Sequence, residues 1–134
     1  SLSILMLMKI KNILIICNKN DKKNFKSLLG DGLNFGVTIK YALQDKPNGI
    51  PEAINISKGF TKNQSFVLML GDNFLYGNGL STVLLNISKN FNEGCNIFTY
   101  TVKDPEKYGV ISLGKDNKYE IYRGIERVYV FFAF

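Results

Sequence analysis

The 134-residue chain is 46% hydrophobic and 21% charged, the balance of one soluble globular domain long enough to bury a real core. It has no histidine, which excludes histidine triads, histidine metal ligands and histidine acid–base catalysis. The net charge of +6 suits a polyanionic small-molecule partner as well as nucleic acid. The early lysines Lys9, Lys11, Lys19, Lys22, Lys23 and Lys26 are dispersed among apolar and amide residues, without the arm or stripe of a nucleic-acid binder.

In chain order, Leu2, Leu5, Met6, Met8 and Lys9 read as the last turns of an apolar helix. "ILIIC" (13–17) is a continuous apolar run of strand length, expected to be buried on both faces. "NKNDKK" reads as a loop, and "NFKSLLG" as a short helix closed by Gly30. "VTIKYAL" (37–43) alternates with the period of a strand, and "QDKPNG" follows as a loop. "IPEAINISKG" predicts a helix with Pro51 in its first turn and Gly59 past its end.

"FVLML" (66–70) is a further apolar strand, and it stops at the turn "GDN". Leu80, Val83, Leu84 and Ile87 then recur at helical spacing. "CNIFTYTV" reads as a strand, "DPEKYG" as a loop, and "VISL", "GKDN" and "KYEIY" as a hairpin. The tail "RVYVFFAF" is apolar and aromatic. Strands alternating with helices predict an α/β fold with a mostly parallel sheet and no internal domain boundary.

The two cysteines, Cys17 and Cys95, fall in predicted strands without CxxC spacing and read as reduced core residues. The apolar runs fall far short of the ~20 residues that a membrane span needs. The opening "SLSILMLMK" lacks the pattern of a signal peptide, so a cytoplasmic protein without membrane contact is expected.

Three loops follow predicted strands and should share one edge of the sheet: residues 44–49 ("QDKPNG"), 71–73 ("GDN") and 104–109 ("DPEKYG"). In an α/β sheet that edge is where ligands bind. The residue types suit a nucleotide: an amide for a base edge, glycines for close backbone approach, a carboxylate for Mg²⁺ and an aromatic hydroxyl for a sugar. Each position also has a plainer reading. Gln44 could be a polar loop residue, Asp72 a turn or cap aspartate, and Tyr108 a residue packed on the sheet edge beside a glycine that a turn requires.

In order, "LLGDGLNFG", "VTIKYALQDKPNGIPEA", "LMLGDNFLYG" and "DPEKYGVI" resemble the sugar-phosphate nucleotidyltransferases, in particular their glucose-1-phosphate thymidylyltransferase branch. The resemblance covers about residues 1–113 and leaves 114–134 as a divergent tail. It implies a Rossmann-like nucleotidyltransferase sheet with helices on both faces. It also implies Mg²⁺-dependent transfer of dTMP from dTTP to glucose 1-phosphate, giving dTDP-glucose and pyrophosphate. The residues matching Gln44 and Gly49 then lie at the nucleotide base, with Leu70 and Gly71 also on the nucleotide. Asp72 matches the catalytic carboxylate that binds Mg²⁺, and Tyr108 and Gly109 match the sugar-phosphate loop. A homo-oligomer is implied for the complete protein.

The sequence departs from that family in two places. No strand and "GGxGTRL" phosphate loop precede Ser1, and the family's "EKP" segment has only Glu126 and Arg127 near the comparable place. An arginine fork is a poor substitute for a lysine ammonium on phosphate. The expectation is therefore a partial nucleotidyltransferase domain, truncated at both ends and inactive by itself. The alternative is a non-catalytic remnant that binds nucleotide or associates with intact subunits.

Overall fold

A computed structural model describes residues 1–62, 64–91 and 96–98, with the strand backbones of 111–113, 119–121 and 132–133. The chain forms two compact units, each discontinuous in sequence. One comprises Leu2–Ser65 and Leu75–Phe91; the other contains Ser1, Phe66–Phe74 and the described strands beyond.

The first unit is built on a parallel pair. Strand β1 (Asn12–Cys17) lies beside β2 (Thr38–Leu43) in a register that sets Asn12 opposite Thr38 and Cys17 opposite Leu43. The ladder continues one residue further, where the Gln44 N–H donates to the Cys17 carbonyl at 3.0 Å. Parallel strands need a crossover. Here it is α2 (Lys19–Leu29), followed by a 3-10 turn at Leu33–Phe35. Ile13, Val37 and Ile39 form the buried centre, and Leu2, Leu5, Met6, Ile10, Ile15, Leu29 and Tyr41 pack around it.

Helix α2 begins earlier than the sequence predicts, inside "NKNDKK". Asn18 caps it: its side-chain oxygen accepts from the Asp21 N–H at 2.8 Å, and Asp21 adds an acid to the first turn. Polar residues that read as a loop are there a helix start. At the far end the chain turns through Gly32, whose φ of +87° is open to glycine. A Cβ at Gly32 would sit 2.7 Å from Ile39 Cγ1 and 2.9 Å from the Val37 carbonyl oxygen, so the glycine is required twice over.

Helix α1 (Leu2–Leu7) packs against α4 (Leu80–Asn90), and the Ser88 hydroxyl donates to the Met8 carbonyl at 3.2 Å. Ile4, Met8 and Leu84 are buried, Leu84 completely. Helix α3 (Ile50–Thr61) contacts β1 and starts with Pro51 in its first turn, as predicted. It runs past Gly59 to Thr61 and closes at Lys62, whose φ of 50° and N–H bond to the Lys58 carbonyl supply the left-handed cap expected of the glycine. In β1 Asn12 is exposed, Ile13 is buried and the remaining residues are half-buried, so the expectation of a strand buried on both faces holds at one residue.

In the second unit, β3 is only Val67–Leu68 and pairs antiparallel with β6 (Phe132–Ala133). The sequence reading placed "FVLML" in a parallel sheet. Its partner among the described residues comes instead from the apolar tail, which that reading had left outside the sheet. Strands β4 (Ile111–Leu113) and β5 (Tyr119–Ile121) form the predicted antiparallel hairpin, with Ser112 opposite Glu120. Among the described residues the architecture is therefore mixed α/β with one small parallel sheet and two antiparallel pairs, not a mostly parallel sheet. Residues 96–98 carry no regular element, and the rest of the predicted strand "CNIFTYTV", with Cys95, lies outside the described residues. No helix among the described residues is long and apolar enough to cross a membrane.

Candidate functional site

Gln44 follows β2 directly and is half-buried. Its side chain is held in place by the start of the next helix. Nε2 donates to the Glu52 carboxylate at 2.9 Å and to the Gly49 carbonyl at 3.2 Å. Gly49 has a φ of 90° and a ψ of −176°, a conformation that side-chain-bearing residues rarely adopt. It turns the chain from the loop into α3, and Glu52 stands in that helix's first turn. The sequence thus predicted Gln44 and Gly49 as partners of one ligand, and the fold brings them into contact. Glu52 was missed. Its signal was an acid in the first turn of a helix that a short loop ties back to the amide.

Cys17, at the end of β1, is a free, half-buried thiol. Burial pushes its pKa up, Asp21 adds to the rise, and Lys22 opposes it. The Tyr41 hydroxyl is likewise pushed up, first by burial and then by Cys17 and Asp31. It donates to the Gly30 carbonyl at 2.7 Å, which ties β2 to the end of α2.

The second unit holds the other predicted residues that the structure describes. After β3, the Asn73 N–H donates to the Leu70 carbonyl at 3.1 Å, closing a tight turn around Gly71 and Asp72. Leu70 is half-buried, and Gly71 and Asp72 are exposed. The Ser1 hydroxyl donates to the Gly71 carbonyl at 2.9 Å. Among the described residues the strand before Asp72 has one neighbour, β6, and runs antiparallel to it; no parallel neighbour is described for it. The turn still presents the carboxylate to solvent.

Asn73 is 5% exposed, and neither polar atom of its amide has a partner among the described residues. This too was missed, because nothing in "GDN" separates an exposed turn asparagine from a buried one. No group of three or more His, Cys, Asp or Glu gathers among the described residues. In the turn after β3 the only carboxylate is that of Asp72. That suits Mg²⁺, which is commonly held by one or two carboxylates together with substrate phosphates and water. Tyr108 and Gly109, and also Glu126 and Arg127, lie outside the described residues.

Comparison with known proteins gives a consistent result. The family model for nucleotidyl transferases matches residues 1–127. The chain is 40% identical over 115 residues to a glucose-1-phosphate thymidylyltransferase of Neisseria meningitidis serogroup A, covering 86% of this chain and 40% of that protein. It is 41% identical over 117 residues to the protein of the same name from Xanthomonas campestris pv. campestris (strain B100), covering 87% of this chain and 39% of the other. A crystal structure from Bacillus anthracis, described as a glucose-1-phosphate thymidylyltransferase in complex with a sucrose, matches with a TM-score of 0.80. It shares 29% identity and covers 98% of this chain and 55% of its own. The chain thus spans about two-fifths of the length of the curated relatives it matches.

Proposed function

From the premise that the chain belongs to the nucleotidyl transferase family, we propose that it carries the base-reading and metal-holding residues of a glucose-1-phosphate thymidylyltransferase. The observation that carries this reading is the contact of Gln44 with Gly49, 3.2 Å from Nε2 to the carbonyl. Two positions that the family resemblance sets at the base share one loop, and the glycine's open backbone leaves room for a flat ring.

Gln44 and Gly49 bind the base, and Leu70 and Gly71 line the nucleotide. Asp72 holds Mg²⁺ through a hard carboxylate oxygen. Tyr108 and Gly109 belong to the sugar-phosphate side of the same proposal. When bound, Mg²⁺ offsets the negative charge of the phosphate oxygens.

In the reaction, a phosphate oxygen of glucose 1-phosphate forms a bond to the α-phosphorus of dTTP, and the bond to pyrophosphate breaks. dTDP-glucose and pyrophosphate are the products. Nucleophile and leaving group are both already ionised phosphates, so the protein's task is positioning and charge compensation. No histidine is required for that. Turnover is assigned to the family enzyme, and nucleotide binding to this 134-residue chain.

A titration of the chain with dTTP in Mg²⁺ tests the reading. Saturable binding that weakens about tenfold in Gln44→Ala is expected, the loss of one well-placed hydrogen bond to the base. Binding that Gln44→Ala leaves unchanged would contradict it. Pyrophosphate release on adding glucose 1-phosphate then separates a catalytic chain from one that only binds.

A further inference from the structure

The side chain of Gln44 makes two hydrogen bonds, and both use the same nitrogen. A primary amide has two N–H donors and one carbonyl acceptor. Here one donor goes to the Gly49 carbonyl at 3.2 Å and the other to Glu52 Oε2 at 2.9 Å. The reverse orientation would set the amide oxygen against a carbonyl oxygen and a carboxylate, two repulsive contacts in place of two attractive ones. Orientation is therefore fixed by chemistry, and the stronger share comes from the charged partner. What Gln44 has left to offer a ligand is its carbonyl oxygen, an acceptor.

We infer that Glu52 is a positioning residue that locks Gln44 as an acceptor and thereby sets a preference for a pyrimidine carrying N3–H. Thymine and uracil present a donor at N3, which an acceptor pairs with. Cytosine presents a lone pair there and meets the Gln44 oxygen with repulsion. Without Glu52, the amide is held by Gly49 alone and can turn over, offering its NH₂ group to the cytosine N3. Selectivity then resides in the carboxylate behind the amide as much as in the amide that touches the base. This inference rests on the functional reading above, in which Gln44 meets the base.

The test compares dissociation constants for dTTP and dCTP, in Mg²⁺, for the wild-type chain, Glu52→Leu and Glu52→Gln. The glutamine variant keeps an oxygen that can accept from Gln44, so it should preserve the dTTP preference. The leucine variant should lower the dTTP-to-dCTP ratio about tenfold, chiefly by improving dCTP, because one hydrogen bond of discrimination is lost. A second readout needs no nucleotide. The side-chain amide proton pair of Gln44, assigned by its disappearance in Gln44→Met, should exchange slowly with solvent in wild type and Glu52→Gln and quickly in Glu52→Leu.

An unchanged ratio in Glu52→Leu overturns the inference and leaves the functional reading standing. Rapid exchange of the Gln44 amide in wild type also overturns it. No dTTP binding to wild type overturns both.

Discussion

The hydroxyl of Tyr41 donates to the carbonyl of Gly30 at 2.7 Å, joining the middle of β2 to the residue that ends α2. The bond stitches the crossover helix to the strand that leads into Gln44. Tyr41→Phe removes the donor while keeping the ring, which packs beside Ile13, Val37 and Ile39. The expected cost is about 1 kcal/mol, the net worth of one hydrogen bond, read as a shift in the urea midpoint at constant slope.

Tyr41 and Cys17 also give the chain a pH dependence. Both have pKa values raised in the folded state, with burial the first cause in each. A raised pKa on a group that is neutral when protonated means that the unfolded chain ionises first. The stabilisation is complete below the unfolded thiol value of about 8.5, and it is lost as pH rises through the folded values. Urea midpoints should be flat from about pH 6 to 8 and fall above that range. Cys17→Ala should delay the start of the fall towards the unfolded phenol value of about 10. Midpoints that rise with pH through this window would refute the assignment.

Two glycines should respond to alanine in opposite directions. Gly32→Ala places a Cβ 2.7 Å from Ile39 Cγ1 at a φ of +87°. Left-handed strain and overpacking together should cost about 2–5 kcal/mol, a large part of a small domain's stability. Gly59 lies inside α3 with nothing within 4 Å of a Cβ. Gly59→Ala should stabilise by about 0.5–1 kcal/mol. Chemical denaturation of the two variants side by side checks both signs.

Asn73 gives a prediction of a different kind. Its amide is buried with both polar atoms unpartnered among the described residues, a costly arrangement for the chain alone. Asn73→Leu keeps most of the volume and removes both polar atoms, so it should stabilise the ligand-free chain by about 1–3 kcal/mol. A destabilised variant in urea unfolding would show that the amide is paired in solution.

Much of this was legible in the sequence. The period-2 run ending at Leu43, the i, i+3, i+4, i+7 apolar set of α4 and the paired strand runs in "VISL" and "KYEIY" each fixed an element, because local spacing alone determines them. Gln44 and Gly49 were singled out by the family resemblance and not by spacing, which alone reads Gln44 as a polar loop residue. Other features depend on partners distant in the chain. The direction of β3's neighbour is set by Phe132 and Ala133, some sixty residues away, and no local pattern reports it. The start of α2 depended on whether Asn18 would cap or loop, a choice made by one hydrogen bond to Asp21. Glu52 looked like an ordinary first-turn acid until the fold brought it to 2.9 Å from Gln44.

The central claim is that Asp72 holds the divalent ion of a bound nucleotide, and Mn²⁺ tests it most directly, since it takes the same oxygen ligands as Mg²⁺ and broadens nearby NMR signals. With dTTP present, substoichiometric Mn²⁺ should broaden the backbone amides of Gly71, Asp72 and Asn73 in the wild-type chain and spare them in Asp72→Asn. Equal broadening of those amides in Asp72→Asn, or broadening that leaves them untouched in wild type, would contradict the account.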